Sequence, residues 1–280
     1  MTVCGLLALA GLVAIVLWGG VDLEPAWAQD DPGDPPSPGE VARRYVWYVT
    51  VAVVAGIGSG VLVAGAGGRL AMRLLAATAG DGAQGRVTEA DEVVGRITTG
   101  GTIGFVLFTA LFFGLATGAL YVLIRRWLPR GRVGGLAFGG LLLVIVATRI
   151  DPLRAENPDF DIVGPGWLGA VVFGAVVVAH GMLVAALAGR YSRGLPLLSR
   201  RLPSVARHAP LLLLGPMFPV VLPLALVGLV AVAGARARGL VEGLRSRPVV
   251  MGGRVVLGAI ALIALPGFVA SVADIVSRGP

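Results

Sequence analysis

Between two long apolar runs the chain reads RIDPLRAENPDFDIVGPGW over residues 149–167. Arg149, Asp151, Arg154, Glu156, Asp159 and Asp161 fall within thirteen positions of one another. Carboxylates and guanidiniums gathered over a helical bundle could bind a small solute or an ion. The plainer reading is an outer loop held by local ion pairs. Asp151-Pro152 predicts a helix start, with an N-cap acceptor followed by proline at the first helical position. Gly164-Pro165-Gly166 predicts a turn, and Trp167 an interfacial anchor. No ligand spacing singles out a metal, and no cofactor motif is present.

His180 is the only histidine inside an apolar run, since His208 lies in a connecting segment. Ionisable groups at membrane depth are candidate functional residues. A neutral histidine can equally bond across to a neighbouring helix. With no second histidine and no carboxylate within the runs' interiors, an intramembrane metalloprotease or a multi-group proton relay has little support. Gly58-Ser59-Gly60 lacks the frame of a nucleophile elbow. Gly56-x-Gly58-x-Gly60 also fails as a dinucleotide fingerprint, having neither the third glycine nor a later acidic residue at the required spacing.

A second polar stretch spans 76–100. Thr88-Glu89-Ala90-Asp91 resembles a capping box, and Ala90, Val93, Val94 and Ile97 recur at helical spacing. The pattern predicts a short amphipathic helix on the membrane surface. Asp81-Gly82 predicts a turn and lacks the alternating oxygens of a calcium loop.

The elements that must carry these residues are helices in lipid. Apolar residues make up 56% of the 280 and charged residues 14%, against about 25% charged in soluble proteins. Crossing about 30 Å of hydrocarbon takes roughly 20 apolar residues. Runs at 3–19, 45–68, 101–124, 134–148, 167–189, 210–234 and 254–274 meet or approach that length. The expected fold is an all-α polytopic transmembrane helix bundle of six or seven spans. The net charge of +7 comes from 23 basic residues, all arginine. They cluster at the ends of the runs, where they meet head groups, and this pattern excludes nucleic acid as a partner. Gly56, Gly60 and Gly67 share one face of a straight helix. Gly114 with Gly118, and Ala170, Gly174, Gly181 and Ala185, form further small-residue stripes that let helices approach closely. Cys4 is the single cysteine, so no disulfide forms within one chain.

The first 44 residues allow several readings. Residues 1–28 form a signal peptide, with Ala26-Trp27-Ala28 as a cleavage signature, or an extra transmembrane span. Translation starting near Val41 is a third possibility. Residues 29–44 form an acidic, Pro-rich linker, and 45–280 the transmembrane domain. With Arg43 and Arg44 in the cytoplasm, 125–133 and 190–208 fall inside and 149–166 outside, as the positive-inside tendency requires. The scheme breaks at 235–253, which carries four arginines and falls outside if 210–234 crosses. That run holds Pro210, Pro216, Pro219 and Pro223, so it is either a kinked crossing helix or a re-entrant segment.

The segments RLAMRLLAATAGDGAQGRVTEADEVVGRITTGGTIGFVLF and ATRIDPLRAENPDFDIVGPGWL resemble multi-pass membrane proteins of actinobacteria, over about residues 45–190. That family brings no established activity. The resemblance implies a cell-membrane location and favours the later start.

The functional expectation is a non-enzymatic membrane protein, either for small-solute or ion permeation or as a component of a membrane assembly. The alternatives are a membrane-embedded enzyme acting on a lipid or isoprenoid, with Asp151, Glu156 and Asp159 as its acids, and a structural subunit. Candidate binding residues are Arg149, Asp151, Arg154, Glu156, Asp159, Asp161 and His180, with no catalytic residue, metal ligand or cofactor assigned. Expected partners are the lipid bilayer and either a second copy of the chain or other membrane subunits.

Overall fold

Ser37-Pro38-Gly39-Glu40 begins the longest helix. The Ser37 hydroxyl accepts from the Glu40 N–H at 3.3 Å and Pro38 occupies the first turn, where its missing N–H costs nothing. In the computed structural model, residues 1–25, 37–237 and 246–278 are described, without the side chains of 216–222, 224 and 235–237. All regular structure among them is helical.

The helices are α1 (Thr2–Trp18), α2 (Pro38–Thr78), α3 (Thr99–Ile124), α4 (Gly131–Val146), α5 (Gly166–Ser192), the short α6 (Leu202–Arg207), α7 (Phe218–Ala237) and α8 (Arg247–Ser277). Four of them, α2, α3, α5 and α8, are long and apolar enough to cross a membrane. α1, α4 and residues Ala225–Gly234 of α7 are shorter apolar helices. α2 starts at Pro38, so residues 38–44 belong to a helix and not to a linker. The Ala26-Trp27-Ala28 signature lies outside the described residues.

Small residues set the packing. A methyl group on Gly56 would collide with the Gly114 carbonyl, one on Gly118 with the Ala52 carbonyl, and one on Gly60 would lie 2.6 Å from the Ala110 Cα. Glycine there lets the α2 and α3 backbones touch, which matters because lipid supplies no hydrophobic drive to join helices. α4 meets α5 in the same manner, Gly139 against Gly181 and the Val178 carbonyl. The main core cluster, Trp47, Val51, Tyr121, Phe138, Val184 and Leu195 among others, lies beside these seams. Trp47 Nε1 donates to the Leu195 carbonyl at 2.8 Å, giving a buried indole its partner. α1 lies against α2 and α5, with Gly11 facing Val63 and Leu183.

Three helices are not α-helical throughout. Gly60–Gly65 of α2, Ala110–Gly114 of α3 and Leu142–Val146 of α4 are π-helical. The wider turn in α2 shifts its register: Gly65, not residue 64, continues the Gly56–Gly60 contact line by meeting Val106. Gly67, expected on that same face, turns instead to Val176 of α5.

The helix ends form two faces. On the arginine-rich face, the Gly131 N–H donates to Asp22 Oδ1 at 2.7 Å and Arg132 to the Val16 carbonyl at 2.8 Å. Arg190 there lies over the Trp18 ring, and Trp127 abuts Gly253 at the start of α8. On the opposite, acidic face, Gly166 abuts the Ile275 carbonyl at the end of α8. Ser271 Oγ donates to the Leu153 carbonyl at 2.6 Å, and Thr78 Oγ1 to the Gly164 carbonyl at 2.7 Å.

The proline-rich block forms a 3-10 stretch, Ala209–Met217, that leads into α7. Its approach is on the arginine-rich face, where the Tyr191 hydroxyl donates to the Arg207 carbonyl. Gly228, midway along α7, abuts the Tyr45 hydroxyl in the second turn of α2.

No helix forms at 88–97. The Thr88 hydroxyl accepts from the Glu92 N–H at 3.2 Å, four residues on and one beyond where an N-cap bond falls, and Asp91 adopts φ 56°. That left-handed residue folds the chain back into an isolated bridge between Val87 and Val93. The helix predicted from Asp151-Pro152 is absent too, since residues 151–157 form bends and turns.

Candidate functional site

α3 and α4 touch near the arginine-rich face through Tyr121 and Phe138, whose ring centroids lie 5.2 Å apart. Toward the acidic face a cleft of about 160 Å³ separates them. Phe105, Phe108, Thr109, Phe113 and Thr117 of α3 form one wall, and Leu142 and Val146 of α4 the other. Phe173, Val176, Val177 and His180 of α5 form the floor, while Ala64, Gly68 and Met72 of α2 close the side. Each of the three π-helical stretches contributes to this lining, through Ala64, Phe113 and the Leu142–Val146 pair. π-turns inside α-helices recur at functional sites because they re-aim side chains and free backbone carbonyls.

One end of the cleft is a polar pair within the bundle. His180 Nε2 and Thr117 Oγ1 lie 2.8 Å apart, joining α5 to α3. The threonine oxygen also lies 2.8 Å from the Phe113 carbonyl and 3.0 Å from that of Gly114, giving its one proton a backbone acceptor in the π-stretch. His180 is 5% exposed, and its Nδ1 is buried without a hydrogen-bond partner among the described residues.

The other end is the mouth, formed by Asp151 and Pro152. Asp151 is the one residue with an ionisable carboxylate among those lining the cleft. Burial pushes its carboxyl above the usual aspartate range, Glu89 and Asp159 reinforce that, and Arg154 and a hydrogen bond with the Asn157 side chain oppose it. Beside the mouth the two polar loops clasp each other. Arg154 Nη2 pairs with Glu89 Oε2 at 2.5 Å, and the Glu89 N–H donates to Asp159 Oδ1 at 2.8 Å. Burial likewise raises the Asp159 carboxyl, against the pull of that hydrogen bond.

The seven candidate residues therefore divide. Asp151 and His180 occupy the two ends of one cleft, and Arg154 and Asp159 fasten the loops beside it. Asp161 lines a separate open depression with Arg86 and Arg278. Arg149 and Glu156 are exposed and line neither the cleft nor the depression. The phenylalanine wall and Thr117 were missed by reasoning from charge alone. Their signal is in the sequence, as phenylalanines at 105, 108 and 113 interleaved with threonines at 109 and 117.

Fold and site define a helical bundle with an aromatic, one-carboxylate cleft, in which four helices are long and apolar enough to span lipid. Comparison with protein-family models, curated proteins and solved structures gives no match.

Proposed function

We propose that this is a non-enzymatic integral protein of the cell membrane, of the small-solute permeation type, and that the cleft is its solute site. The observation that carries this reading is the cleft: an apolar space that begins at a loop carboxylate and ends at a hydrogen-bonding pair inside the bundle. Binding sites in helical proteins commonly combine an apolar lining with a few polar groups that fix orientation.

Six crossings fit the helix ends. α1, α2, α3, α4 and α5 alternate between the two faces. The chain leaves α5 on the arginine-rich face and enters α8 on that same face, so 209–246 makes no net crossing. This favours the re-entrant reading of the proline-rich block and keeps Arg247 with the other arginines, as the positive-inside tendency requires. In cells expressing a Cys4→Ser background, an impermeant thiol reagent then labels Glu156→Cys but not Ser246→Cys. Labelling of both would count against six spans.

The solute site is tested with Thr109→Cys in the same background. A small thiol reagent should alkylate it, and Gly68→Phe, which fills the cleft, should block the reaction. An inert Thr109→Cys would remove the solute reading and leave a structural subunit. That second reading draws on α8, of which the most apolar stretch is only 11% buried and exposes Val255, Leu262, Ile263 and Val269. The cleft does not favour an enzyme using Asp151, Glu156 and Asp159 together, since of the three only Asp151 lines it.

A further inference from the structure

We infer that the cleft takes a small organic cation with an apolar body, its ammonium group at Asp151 and its body among Phe108, Phe113 and Phe173. The inference rests on the solute-site reading above and adds the substrate class to it.

Charge is the first argument. The cleft is lined by one carboxylate and by no arginine. The charged groups acting on that carboxylate are Arg154, Glu89 and Asp159. Arg154 is already engaged by Glu89 at 2.5 Å, so the mouth presents more negative than positive charge. No salt bridge within the described residues includes Asp151. Asp151 is exposed at the mouth and Arg154, its nearest opposite charge, is shared with Glu89, so an ammonium group seated there would meet an attractive field.

Lining chemistry is the second. Aromatic faces attract cations as well as apolar groups, most strongly where water is excluded. Phe105 already carries a cation, because Arg69 lies 5.6 Å from its ring centroid. The other phenylalanines are therefore the ones left to meet a ligand. Deeper in, the His180–Thr117 pair can hydrogen-bond a polar tail group. A space of about 160 Å³ suits a one-ring compound better than a lipid.

The test compares two ligands of one shape, benzyltrimethylammonium and its neutral counterpart neopentylbenzene. Each is titrated for protection of Thr109→Cys, in the Cys4→Ser background, from alkylation in liposomes. The quantity read is the ratio of their half-protecting concentrations, measured with Asp151 and with Asp151→Asn, so that partitioning into lipid cancels. The expected result is a ratio that shifts toward the neutral compound by about tenfold or more in Asp151→Asn, with neopentylbenzene protection unchanged. Should that variant fail to fold, Asp151→Ser is read in the same way, and Asp151→Glu should keep the cation preference. An equal ratio with and without the carboxylate overturns the cation inference, while protection by neopentylbenzene leaves the solute site standing. No protection by either compound overturns both.

Discussion

The halves of this bundle near its two faces are built from the same helices and behave oppositely. Below, toward the arginine-rich face, α2 meets α3 and α4 meets α5 backbone to backbone, with glycine at each closest approach. Above, α2 stays on α3 through Gly65 and Val106, while α3 and α4 part around phenylalanines and leave a cleft. Close packing needs the absence of side chains, and a cavity needs side chains too large to interdigitate.

The largest effect should come from the seam. Gly118→Leu drives a side chain into the Ala52 carbonyl, and overpacking against a rigid backbone costs several kcal/mol, about 3 or more. We expect loss of folded yield in detergent, measured by size-exclusion chromatography. Gly68→Leu on the cleft side meets only the Phe105 ring edge, at 3.2 Å. It should fold nearly normally while narrowing the cleft. Equal damage from both substitutions would erase the distinction between the halves.

Next is the pair at the inner end. Thr117→Val removes the His180 partner at near-constant volume, and an interhelical hydrogen bond in lipid contributes about 1 kcal/mol. A double-mutant cycle with His180→Phe should show coupling of that order. Coupling near zero would make the pair incidental to holding α3 on α5.

The outer clasp should matter less to global stability. Arg154→Ala breaks an exposed ion pair, and such pairs contribute little. The melting temperature should stay put while amide exchange in 79–98 accelerates. A large drop in melting temperature would mean that the loops, and not the glycine seam, hold the bundle together.

The smallest effect is with pH. Because the folded state raises the Asp151 carboxyl above its unfolded value, the protonated form is the one the fold favours. That contribution to stability is present at low pH and is lost as pH rises through the raised value. Arg154, Glu89 and Asp159 face this carboxyl, and Asp159, itself raised, adds a slope of the same sign. Thermal melts from pH 4 to 7 should therefore show a shallower decline in Asp151→Asn than in the parent chain. Cation protection of the cleft should run the other way and weaken on acidification.

Much of the glycine half was readable in the sequence, because small residues four apart report helix contact directly. Gly56, Gly60, Gly114 and Gly118 needed no structure to be recognised. Gly67 misled, since a straight-helix projection cannot register a π-turn between Gly60 and Gly65. The stretch at 88–97 misled for another reason: the Thr88 pattern is locally that of an N-cap, and only the left-handed Asp91 shows that the chain reverses. In contrast, Ser37-Pro38-Gly39-Glu40 was a legible helix start within a segment that composition marks as linker. The cleft was hidden because none of its walls is unusual alone, and it exists only where four helices come together.

The π-turns set a phase. One extra residue in a turn rotates everything beyond it by about 100° relative to what precedes it, as an index mark advances a dial by one step. In α3 the stretch Ala110–Gly114 separates Gly118 below from Phe105 and Phe108 above, so one helix can offer glycine to α2 and phenylalanine to the cleft. A single deletion inside that stretch would leave composition and hydropathy almost untouched. It would nonetheless swing the aromatic wall out toward lipid and leave the seam beneath it in register.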